Sequence, residues 1–237
     1  MQRRVHRFRA VAWRRWEELS WADLEEVAAG AVGLVPVGAV QHHGSHLPVG
    51  TDTIVARAVC TAASERCGAP VLPAIELGCG EEPGALSLAP AQLTGLARRW
   101  AAEAVRCGVR RLLFVNAHPG NAAALADAVD PGGELAPGAR VGVAQWWALD
   151  AVVASEVGDA PAIHGSRAET ALLLAIAPEL VRLDRLAPRD PLATATEALG
   201  LTLLERTADG LASWVEHERA GASTVDMPSA AVLAPSY

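Results

Sequence analysis

The feature that most constrains this chain is a repeated event. An apolar run of buried-strand length ends in a polar, histidine-bearing loop, and a helix-like segment follows. The fullest instance is residues 34–55, LVPVGAVQHHGSHLPVGTDTIV. Leu34 to Val37 is continuously apolar and stops at Gly38. Gln41, His42, His43 and His46 then fall within six positions, and Asp52 stands where a helical run begins. Imidazole nitrogen binds zinc and similar divalent cations, and a carboxylate can bridge two of them. A strand emptying into such a loop therefore points to a metal site, against the alternative of a polar loop with ordinary surface histidines.

The event recurs along the chain. Strands are predicted over 31–37, 111–115 (RLLFV) and 139–145, with a further candidate over 70–77 that Pro73 weakens or marks as an edge. Ser20, followed by Asp23, Glu25 and Glu26, reads as an N-cap with an acidic first turn, opening a helix that ends near Gly30. Further helices are expected over 52–66, over 90–107 with Leu93, Leu96, Ala97, Trp100, Ala104 and Cys107 on one stripe, in the Ala-rich run after Asn121, over 167–177 and from 190 to about 218. Residues 130–138 read as a Pro/Gly loop. Strand alternating with helix predicts an α/β, three-layer αβα domain, a mostly parallel sheet with helices on both faces. One domain over 1–237 is expected, with an Arg/Trp-rich extension at 1–19 and an irregular tail at 219–237. Ligands of such sheets sit beyond the carboxyl ends of the strands. The loop of His42, His43 and His46 belongs there, and so does His118 in NAHPGN. His164 lies in HGSRAET, with Glu169 a little over one helical turn further on.

Composition excludes several classes. A chain of 237 residues that is 51% hydrophobic can bury a sizeable core. A net charge of −7, with every basic residue an arginine, argues against a general nucleic-acid binder. The longest apolar runs fall short of a membrane span and the N-terminus has no apolar signal core, so a cytoplasmic location is expected. Cys60, Cys67, Cys79 and Cys107 form no CxxC pair and read as small buried hydrophobes. Cys79 as a nucleophile lacks a neighbouring histidine. Trp146 and Trp147 end the last strand and are candidates either to contact substrate or to pack in the core. Ser87 is a further candidate for substrate contact, or for a turn.

Four segments together resemble the creatininase family. PVGAVQHHGSHLPVGTD is similar to its Glu-Gln-His-Gly segment leading to an LPLGTD-type run. PGALSL at 83–88 resembles its PGTLSL loop, NAHPGN its NGHGGN, and HGSRAET its HAGxxET. PELVRLDR at 178–185 is also similar to creatininase-like peptidases of the mycofactocin pathway. The resemblance implies a metal-dependent amidohydrolase with two divalent metals per site, zinc before manganese or iron, often assembled as a homo-hexamer and acting on a small molecule or peptide. Carried over by position, it implies that His43 and Glu169 bind one metal, that Gln41 and His118 bind the other, and that Asp52 bridges them. His164 would sit beside the scissile amide and handle a proton. His46 would orient the loop or a ligand.

The departures from the family are specific. Gln41 stands where the family has Glu, so the metal at Gln41 and His118 is expected to be weak or lost. Glu81-Glu82 replaces a Glu-His pair, and Ala117 and Pro119 are changes within NAHPGN. Two other readings follow: a biosynthetic enzyme on the same scaffold catalysing ring closure, amide formation or dehydration with one metal or an altered metal site, and a non-catalytic assembly protein.

Overall fold

The structure is a computed structural model that describes residues 15–29, 31–82, 84–129, 140–158 and 164–220. The arginine-rich start up to residue 14, the Pro/Gly loop and the tail beyond residue 220 lie outside the described residues.

Three parallel strands form the sheet in the order β1 (Val32–Val37), β2 (Arg111–Asn116) and β3 (Arg140–Gln145). The register pairs Val37 with Asn116 and Asn116 with Gln145, so all three strands finish level at one rim. The predicted strand over 70–77 is instead two isolated parallel bridges to β1, at Val71 and Ile75. Leu72 N–H and Ile75 N–H donate to Leu34 and Pro36 carbonyls at 2.8 and 2.9 Å, and Pro73, which has no N–H, interrupts the ladder between them. Part of the extension is docked on this edge, where Trp16 N–H donates to Val71 O at 2.8 Å.

Helices cover both faces, as the alternation predicts. They are α1 (Trp21–Ala28), α2 (Thr51–Cys67), α3 (Pro90–Arg106), α4 (Ala122–Val129), α5 (Ala151–Val157), α6 (Arg167–Ile176) and α7 (Glu197–Arg219). Ser20 caps α1 through Asp23 N–H, as its position predicts. The period of two splits each strand between two cores. Val32 and Leu34, then Leu113 and Val115, then Ala144 face a cluster with α2, α6 and α7. Val35 and Val37, then Leu112 and Phe114, then Val143 face a cluster with α3 and α4. The chain is helical from 197 rather than 190, because a 3-10 turn over Pro191–Thr194 precedes Thr196, whose side chain caps α7 at Leu199 N–H. Among the described residues, no helix is long and apolar enough to cross a membrane.

Gly38 is the hinge between sheet and rim. A Cβ there would stand 2.2 Å from Thr53 Oγ1 and 2.5 Å from the Thr53 backbone, because the first turn of α2 lies directly over the end of β1. No rotamer change relieves a backbone clash. Gly38→Ala is therefore expected to destabilise by about 1–3 kcal/mol, lowering the thermal midpoint by several degrees. An unchanged midpoint in a calorimetric scan would contradict this packing.

Candidate metal centre

The site is built where the strands end. The loop after β1 carries Gln41 and His43 and folds back through Gln41 N–H to Val49 O at 3.0 Å. It delivers the chain to α2, whose first turn holds Asp52, a favoured place for a carboxylate beside unpaired helix N–H groups. His118 follows β2 by two residues, and Glu169 is in the first turn of α6. Ser166 and Glu169 form a reciprocal capping box. In it Glu169 Oε2 accepts from Gly165 N–H at 2.7 Å, which leaves Oε1 facing His43 Nε2 at 3.8 Å.

His43, Asp52, His164 and Glu169 each present one ligand atom, and these atoms all lie within 4.8 Å of one another. His43 Nδ1 is 3.1 Å from Gln41 O. A carbonyl only accepts, so Nδ1 carries a proton and Nε2 is the free nitrogen. Nε2 faces Asp52 Oδ1 at 2.9 Å, with both side chains fully buried. A lone pair held against a carboxylate needs either a second proton or a cation between them, so this quartet fits a divalent ion, with backbone contacts already orienting the ligands. Without the ion, protons take its place. Burial alone would lower the His43 pKa, but the Asp52 hydrogen bond and the charges of Asp52 and Glu169 outweigh it and raise the pKa to about 9. Burial, aided by the charge of Asp52, raises Glu169 to about 8 against the opposing effect of His43. Burial lowers His118 and His164, leaving both as neutral imidazoles near neutral pH.

His118 belongs to the same rim. Its Nε2–H donates to Cys79 O, so Nδ1 is the free nitrogen, 3.5 Å from Asp52 Oδ2. Gln41 Nε2 lies 3.1 Å from Asp52 Oδ2 and 2.9 Å from both His118 Nδ1 and His164 Nδ1. The structure thus brings Gln41, His43, Asp52, His118, His164 and Glu169 together. His46 stands outside the quartet: Nε2 meets Thr170 Oγ1 at 2.8 Å, tying the loop to α6. Ser87 is exposed. Trp146 is fully buried and Trp147 nearly so, both packed in the α2–α6–α7 core with their rings edge to face. None of these three lines the cavity beside the site. Burial raises the Cys79 thiol pKa, which disfavours a nucleophilic role.

A buried amide network escaped the sequence reading. Asn116 donates to His118 O at 2.7 Å and to Gln145 Oε1 at 2.6 Å, and its own oxygen accepts from His118 N–H. Asn121 accepts from Cys79 N–H and donates to Gly38 O at 3.0 Å. These side chains lock the loops after β1, β2 and β3 to one another. The available signal was an amide residue at the last position of both RLLFVN and RVGVAQ.

A cavity of about 390 Å³ opens on the site, lined by His42, Ser45, His46, Glu82, His164 and Asp190 among others. His164 is the residue common to this cavity and the quartet.

A cation entering the quartet displaces protons from His43 and Glu169, whose raised pKa values keep them protonated at neutral pH. Zinc affinity should therefore tighten about ten- to a hundred-fold per pH unit between pH 6 and 8, and level off above about 9. Competition against a chelating indicator measures this, and a flat profile over that range would contradict the assignment.

Comparisons with known proteins identify the family. The family model described as creatinine amidohydrolase matches residues 17–231. Creatinine amidohydrolase of Pseudomonas putida is 34% identical over 197 residues, 73% of this chain and 76% of that protein. Mycofactocin precursor peptide peptidase of Mycolicibacterium smegmatis is 37% identical over 164 residues, 65% of this chain but 61% of the peptidase. Among solved structures, one described as creatininase Mn superposes with a TM-score of 0.78 at 28% identity, covering 87% of this chain and 98% of its own. A mutant creatininase of Zn–Zn type gives 0.74 at 29%, covering 86% and 97%. The family model, the sequence relatives and the shared fold place this chain in the creatininase family of amidohydrolases.

Proposed function

We propose that the protein is a metal-dependent hydrolase that cleaves a C–N amide bond in a small cyclic amide or a short peptide. The observation that carries this reading is the cluster of buried His43, Asp52 and Glu169 with half-buried His164, which also lines the adjoining cavity. The His43 imidazole with the Asp52 and Glu169 carboxylates suits zinc first, with manganese or iron as alternatives. When bound, the cation supplies the acidity that makes water a nucleophile near neutral pH and polarises the amide carbonyl.

The chain's own residues do the rest. His43 is oriented by the Gln41 carbonyl so that Nε2 faces inward. Asp52 joins the two sides of the site, with Oδ1 toward His43 and Oδ2 toward Gln41 and His118. Glu169 is held by the Gly165 and Ser166 amides. His164 is neutral, at the cavity wall and beside the ligands, so it can accept the proton of the attacking water and hand it to the departing nitrogen. The named relatives support hydrolysis of the same bond class, and no observation favours ring closure or dehydration in its place.

Asp52→Ala and Glu169→Ala are expected to lower kcat/KM by at least about a hundred-fold, as is stripping the metal with a chelator, followed by recovery on adding zinc or manganese. Creatinine and a panel of short peptides, resolved by liquid chromatography, provide the assay. Full turnover by metal-free protein would overturn the proposal.

A further inference from the structure

The resemblance implies two metals, but one of the two positions does not fit. The three groups that face it across the rim, Asp52 Oδ2, His118 Nδ1 and His164 Nδ1, converge on the side-chain nitrogen of Gln41 at 3.1, 2.9 and 2.9 Å. An amide nitrogen offers protons and no lone pair, so it cannot ligate a cation. Its two N–H groups instead donate to the carboxylate and to the free nitrogen of His118, with His164 Nδ1 at the same distance as a competing acceptor. The reverse orientation would press Oε1 against the Asp52 carboxylate, acceptor against acceptor, so the hydrogen-bond pattern selects the nitrogen. Oε1 turns aside toward Gly80, where a Cβ would stand 3.5 Å from it. Charge points the same way. At the rim, the buried carboxylates are Asp52 and Glu169, which neutralise one divalent cation, whereas two cations would leave a buried surplus of positive charge.

We propose that this chain holds one divalent cation per active site, on His43, Asp52 and Glu169 with His164 beside it, and that the Gln41 amide occupies the second position as a neutral substitute for a metal. His118 then serves as the hydrogen-bond acceptor that anchors this amide. The inference rests on the proposed function, since it concerns the metal content of that same site.

Zinc-loaded protein, freed of excess metal by gel filtration and measured by inductively coupled plasma mass spectrometry, should carry one zinc per chain, and Gln41→Glu should carry two. Two per chain in the unaltered protein would overturn the inference while leaving the proposed function intact. One per chain in a folded Gln41→Glu protein would overturn the role given to Gln41. No zinc at all in the unaltered protein would overturn the proposed function itself. A second readout needs no variant: the manganese-loaded protein should give the electron paramagnetic resonance spectrum of an isolated Mn(II) ion, and the spectrum of a spin-coupled pair would overturn the inference.

Discussion

Everything at the rim depends on one buried carboxylate. Asp52 has no exposed surface, yet it sits among groups that must supply a proton or a positive charge for it to remain there. A buried carboxylate without partners is strongly unfavourable. Here one oxygen faces His43 Nε2, and the other faces the Gln41 amide and His118. His43 and Glu169 are both driven toward holding protons in the absence of a cation. The carboxylate charge that raises His43 and the desolvation that raises Glu169 would both strengthen the interaction with a divalent ion replacing those protons.

The sheet makes that cage possible at modest cost. Three parallel strands finish in register, so the loops that follow begin at the same height. Gly38 lets the first turn of α2 settle over the end of β1, carrying Asp52 into place. Asn116, Asn121 and Gln145 then knit the loops together from beneath. These amides satisfy backbone groups that would otherwise be buried without partners, which makes the rim a rigid support for the ligands above it.

Much of this was legible in the residues alone. Apolar runs such as RLLFV identify buried parallel strands because both of their faces are covered, and the helices carried a recognisable cap at Ser20 before β1 and an apolar stripe on α3 between β1 and β2. The clustering of His43, Asp52, His118, His164 and Glu169 followed from placing their loops at one end of the sheet. Three things were not legible. Whether Pro73 merely weakens a strand or reduces it to two bridges depends on which N–H groups face β1. The tryptophans after β3 fill the core because the chain turns inward at Trp146, and local sequence does not reveal that direction. The reach of the Gln41 amide to both His118 and His164 is a contact across 77 and 123 positions, which no local pattern encodes.

Anomalous diffraction from crystals grown with zinc, recorded on either side of the zinc absorption edge, tests the caged cation most directly. A peak about 2.0–2.2 Å from His43 Nε2 and from carboxylate oxygens of Asp52 and Glu169 is the expected result. A map with no peak between these three side chains, or ordered coordinates in which they lie apart, would contradict it.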